Sequence, residues 1–367
     1  MRLPVTVISL VVLPLSACTP EQQSQAPPTT LFGDVIVSEI ATAADGLNGP
    51  RDLDFNPEVA GELWVQNRTD DATITIRNTG TAEQTSQRRK DPFALHFMEE
   101  VAAISFATGN TFGSCGESRN TYDGEAEGND FTGPALWSSE DDIFAISNPA
   151  AIAENGYDLG SHLDMMHETP LCMGIAWVDA NIYFVFEGLS NSIARYDFKD
   201  DHGPGFDDHS DGTVERFNNA DVQRVADVPS HLVYDHDSEL LYVADTGNAR
   251  IQVLDTSRAL AVSQFRGFET MVQLMEGGEW TTLLGAEAEL QQPSGLALKD
   301  GILYVGDNLT STITAYDLEG NLIDSLVLDI DEGGLMGIRI NPEGDSLYAI
   351  DFIGNRVLRV AGLSVPK

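Results

Sequence analysis

A chain of 367 residues with 58 acidic against 20 basic side chains has a formal net charge of −38, and such a surface repels nucleic acid and anionic headgroups, excluding both as partners. The plainer meaning of that charge is solubility in salt; the other is capture of cations. No run beyond the first residues has the apolar length to span a bilayer, and the length of the chain suits one large β domain.

The chain opens on Arg2, an apolar run from Val5 to Leu15, and Leu15-Ser16-Ala17-Cys18. So short a run ending on small residues reads as a secretory signal over residues 1–17, not a membrane span. The Leu-Ser-Ala-Cys ending resembles the bacterial lipobox, which implies cleavage before Cys18, lipidation of Cys18 and membrane contact through the acyl chains only. Thr19 stands where an inner-membrane retention Asp would, which favours the outer membrane. Residues 18–31 are then a lipidated cysteine and a polar, proline-bearing tether, and residues 32–367 a single domain. Only Cys115 and Cys172 remain, and in an exported chain two thiols most simply form one disulfide.

Phe32 to Ala41 holds one alternating strand with no neighbour to pair with. Blade-like units follow: RDLDFNP, GELWVQN and ATITIRN from Arg51; FALHFM and AAISFAT from Phe93, then a long insert, GPALWSS, DIFAIS and a second insert to Thr169. The next unit is MGIAWV, NIYFVFEG and SIARYDF, the loop KDDHGPGFDDHSDGTVERF, and the strand DVQRVAD. Val228 to Asp255 gives the cleanest unit, three short alternating runs joined by tight turns, with a fourth strand expected in EWTTLLGA. It recurs from Pro293 to Gly320 and from Leu335 to Gly362, where it stops after three strands. Units of this length must stack to bury both faces, as in a propeller.

The segments VADTGNARI, VGDNLTSTI and IDFIGNRVL resemble NHL repeats of β-propellers. The expectation is all-β: a six-bladed propeller of four-stranded antiparallel blades, the last closed by Asp34–Ile40 as its outermost strand, which removes a free sheet edge. Placing loops on the two ends of such a ring puts Cys115, Cys172, His162, Asp164, His167 and His231 at one end and the Asp207–Asp211 loop at the other.

Six of the seven histidines fall between His162 and His236. In GSHLDMMHETP, His162, Asp164 and His167 offer first-row metal donors, or else cap backbone groups of an ordered loop. In DDHGPGFDDHSDG, Asp207, His209 and Asp211 loosely echo a calcium loop and suggest a structural ion or a hydrogen-bonded turn. Aligning the repeats sets Asp52, Ala94, Gly174, His231, Gly295 and Gly337 in one channel-lining column, with Arg51, Phe93 and Met173 among those preceding, and His96 just deeper than Ala94. His231, Arg51 and Asp52 are the chemically distinctive positions there, Arg51 and Asp52 as ligand-binding candidates; a polar, watered channel is the plainer account. The repeats are distantly similar to the peptidylglycine-amidating lyase propeller, whose zinc-binding histidines follow blade-opening prolines. Ser230 and Ser294 occupy those places here, so that histidine pattern is absent.

The residues thus point to a lipid-anchored, monomeric propeller of the cell envelope that binds a small molecule, peptide or envelope protein at its looped end, with zinc or calcium as the possible ion and no nucleotide cofactor. A metal-dependent hydrolase or lyase built on His167, His231 and His96 stands as one alternative, and a protein-interaction scaffold as another.

Overall fold

The unpaired run near the start of the chain finds its partner at the far end: strand Ile36–Ala41 lies antiparallel to Arg356–Ala361 and completes the sheet of Ser346–Asp351 and Leu335–Ile340. The computed structural model describes residues 30–121, 128–217, 219 and 221–364; the expected signal segment, residues 1–17, and the expected lipidation site Cys18 lie outside them. Six sheets follow one another round a ring, the innermost strand of each touching that of the next, and the protein is a six-bladed β-propeller.

Blade five shows why the sequence folds this way. Its strands Pro293–Lys299 and Ile302–Asp307 are joined by Asp300-Gly301, both at positive φ (51° and 76°), the two-residue turn whose twist matches that of a hairpin. Strand Ile302–Asp307 is buried along its whole length, because neighbouring blades cover both its faces; hence the uninterrupted apolar run rather than alternation. The outermost strand, Leu322–Val327, returns to alternation and exposure. The polar turn of the repeat is held by its own residues: Asp245 accepts from Asn248 and from Arg250 Nε at 2.6 Å, and Asp351 accepts from Arg356 Nε at 2.8 Å.

Three expectations need correction. In blade two FALHFM is not a strand: Asp91 accepts the Phe93 amide, and Ala94–Phe97 forms a single helical turn that buries Ala94, His96 and Phe97. The four strands are Val101–Phe106, Thr111–Gly116, Ala135–Ser138 and His162–Met165. DIFAIS is a turn whose Phe144 plugs the blade between Trp64, Phe112 and Trp137. The channel column in this blade is therefore Ala102-Ala103, not Phe93-Ala94. In blade three the fourth strand is Thr213–Phe217, with Val214 and Phe217 buried, rather than DVQRVAD.

One element was not anticipated. Between the third and fourth strands of blade four, Arg250–Asp255 and Glu279–Leu284, the chain makes a hairpin of Leu260–Arg266 and Met271–Glu276. It joins the sheet of blade three, Met271–Glu276 running parallel to Thr213–Phe217.

Cys115, on the second strand of blade two, and Cys172, opening the first strand of blade three, form a disulfide with Cα atoms 5.7 Å apart.

Candidate functional site

The channel holds few of the expected ligands. His231 does project inward, where Gly174, Gly295 and Gly337 let adjacent blades approach closely, and its Nε2 donates to the Ala102 carbonyl at 3.1 Å with Asp52 at 3.6 Å. Asp52 also accepts the Ile104 amide, and Arg51 is fully buried against Glu117 at 2.6 Å. Arg51 and Asp52 thus bind other blades, not solvent. His231 contacts the innermost strand of blade two, whereas His167 follows the outermost. Three inter-strand spacings, roughly 14 Å, separate the two levels, so His231 shares no ion with His167 or His96.

His96, His162, His167, His202 and His209 meet on the outer flank between blades two and three, while His236 packs on Trp177 and Tyr234. Strand His162–Met165 runs along that flank, and a bulge at Leu163 interrupts its alternation, pairing His162 with Trp137 and Asp164 with Leu136. The loop after Asp197 folds back along the strand's free edge, Gly205 N–H donating to the His162 carbonyl and His202 N–H to that of Leu163. This carries His209 to the strand: its Nδ1 lies 2.7 Å from Asp164 Oδ1 and its ring 5.6 Å from those of both His162 and His167. The loop does join the third and fourth strands of blade three, but the expectation that it stays apart from His167 is overturned, because it folds back along the flank. Nor do Asp207, His209 and Asp211 surround one centre: Asp207 stands 3.3 Å from His209 Nε2, His209 turns to Asp164, and Asp211 pairs with His202 at 3.0 Å.

His96 and His167 face each other, Nε2 to Nε2, at 3.2 Å. Their Nδ1 atoms point away, that of His96 to Asn120 Oδ1 at 3.0 Å and that of His167 to the Glu269 carboxylate at the tip of the added hairpin. Phe131 stacks on His167 with centroids 3.7 Å apart, and Phe97 on His162 at 3.8 Å. With His96, Phe97, Phe131, His167 and Glu269, the residues Phe93, Tyr157, Leu159, Asp207 and His209 line a cavity of ≈ 220 Å³.

Burial sets the charge state of this cluster. It pushes His96 down to about 4 and His162 down to about 3, and it lowers His167 despite the opposing pull of Glu269. For His209 burial acts downward too, but the hydrogen bond and charge of Asp164 outweigh it, and the pKa is raised. Neutral imidazoles donating outward through Nδ1 direct both Nε2 lone pairs of the His96–His167 pair inward.

A pH prediction follows from His162. Its folded pKa lies below the unfolded value of about 6.5, so the unfolded chain binds more protons in between, and stability present above about 6.5 is lost as pH falls. Each such histidine contributes a slope of about 1.4 kcal/mol per pH unit. In chelated protein His162→Gln, which keeps a donor for the Leu159 carbonyl accepted from Nδ1 at present, should make denaturant-measured stability between pH 6 and 4 shallower by about one such slope. Parallel curves for the two proteins would contradict the assignment.

No family model matches the sequence, and no curated protein does. Among solved structures the chain is similar to a luciferin-regenerating enzyme (13% identity, TM-score 0.56, covering 90% of this chain and 96% of the other) and to a streptogramin B lyase (11% identity, TM-score 0.51, 91% and 100%). It is also similar to an auxiliary nutrient binding protein from Bacteroides ovatus (12% identity, TM-score 0.53, 89% and 76%). At these identities the likeness concerns the propeller alone.

Sequence reasoning missed Glu269, Phe131 and Asn120. Glu269 lies on a hairpin with no counterpart in the other blades, and nothing in the repeat pattern points to it.

Proposed function

We propose that this chain is a lipid-anchored cell-envelope propeller of the NHL-repeat kind that binds a small ligand in the flank pocket, through a first-row metal ion held by His96 and His167. The 3.2 Å approach of their Nε2 atoms carries the reading: two imidazole nitrogens on one tetrahedral ion, each about 2.0–2.1 Å from it, stand roughly 3.3 Å apart. Glu269 and Asn120, holding the Nδ1 atoms, are the outer partners that orient metal-bound histidines. Further ligands would come from His209, Asp207 or the bound molecule, and the stacked rings of Phe131 and Phe97 supply an apolar wall. The nutrient-binding protein of the same fold is in keeping with a ligand-binding role. A hydrolase or lyase using the same ion is the second reading, favoured by the cavity that leaves room for a substrate beside it.

The test is uptake of Co²⁺ or Zn²⁺ by chelated, exported protein. His96→Ala and His167→Ala should each lower bound metal by one ion per chain, with Glu269→Gln weakening that ion about 10- to 100-fold. Unchanged metal content in both histidine variants would defeat the proposal and leave the interaction-scaffold reading as the better one.

A further inference from the structure

Behind the pocket wall lies a second donor cluster. Asp164, His202 and Asp211 each bring one ligand atom within 4.8 Å of the other two. They come from the outer strand of blade two and from the two ends of the blade-three loop that folds over it. Asp164 is fully buried, and while its Oδ1 is taken by His209, its Oδ2 has no hydrogen-bond partner. An ionised carboxylate oxygen sealed from water without a donor is costly, and a cation is one of the few partners that relieves it.

We infer that Asp164, His202 and Asp211 bind a divalent first-row metal ion, distinct from the one assigned to His96 and His167. One imidazole with two carboxylates is a donor set suited to zinc, cobalt or manganese, and the imidazole disfavours calcium. The entry side is open: the side chains of His202 and Asp211 remain 19% and 36% exposed while that of Asp164 is at 0%. Water fills the remaining coordination positions there. The ion pins the blade-three loop to blade two, and through Asp164 Oδ1 it fixes the ring of His209, which lines the pocket.

This site stands or falls independently of the pocket ion, and the metal alone is the probe. Full-length chelated protein is titrated with Co²⁺, and bound metal is counted by elemental analysis after gel filtration. Wild type should retain two ions per chain. His202→Ala and Asp211→Asn, changes at partly exposed positions, should each lose one and keep the ion that His167→Ala removes; His167→Ala should keep the other, and His202→Ala with His167→Ala should bind none. The inference is overturned if His202→Ala and Asp211→Asn bind as much Co²⁺ as wild type, or if no ion survives His167→Ala.

Discussion

A chain that starts after Ala41 will melt on the order of 10 °C or more below the intact protein. The deletion removes the whole of strand Ile36–Ala41 and its ladder to Arg356–Ala361, and with it Leu31 and Phe32, which are buried against residues of blades five and six such as Tyr304 and Leu358. Burying one Leu and one Phe is worth roughly 1.5–3 kcal/mol each. The exposed edge of the last blade adds to that loss and opens a row of unpaired backbone groups to other chains. A domain of this size loses about 2–4 °C, or somewhat less, per kcal/mol. Scanning calorimetry of the two chains decides it; coincident transitions would mean that the ring is closed without this strand.

The second large effect is loss of the Cys115–Cys172 bond. It closes a sequence separation of 57 residues, for which chain entropy in the unfolded state gives about 4 kcal/mol. Both half-cystines are buried, so replacement of the pair by Ala adds only a modest packing loss, and the double variant should unfold at distinctly lower denaturant while keeping its β circular dichroism. Thiol counting on denatured, unreduced wild type should find neither of these two cysteines free. Equal midpoints for variant and wild type, or two reactive thiols in wild type, would contradict the assignment.

How far the sequence was legible depended on whether a period was present. The strands of blades four to six, with alternating edges and turns such as Asp300-Gly301, could be read directly, and so could the closing strand, because the last unit lacked a fourth. Blade two could not. In FALHFM an apolar run too short to show its period folded as a helical turn, since Phe93 and Phe97 bracket His96 on one side of it. That single misreading moved His96 into the channel. The histidine site was half legible: the residue types and their clustering in sequence were visible, but their meeting place was not. Assigning His162 and His167 to an end loop hid the fact that they belong to an outer strand and its continuation, which the His209 loop can reach by folding along the free edge. Glu269 comes from a hairpin that blade four lends to blade three, a long-range pairing with no local signature.

The closure of the ring also fixes a compass bearing. Leu31 and Phe32 are seated where blades five and six adjoin, Phe32 N–H donating to Asp324 and the Leu31 carbonyl accepting from Ser364. Around six blades the diametrically opposed seam is the one between blades two and three, where the imidazoles gather. Whatever holds the leading end of the chain therefore grips one rim of the disc while the pocket opens on the other, a full diameter away. A disc held by that end would present its histidines outward, on the side away from the hold.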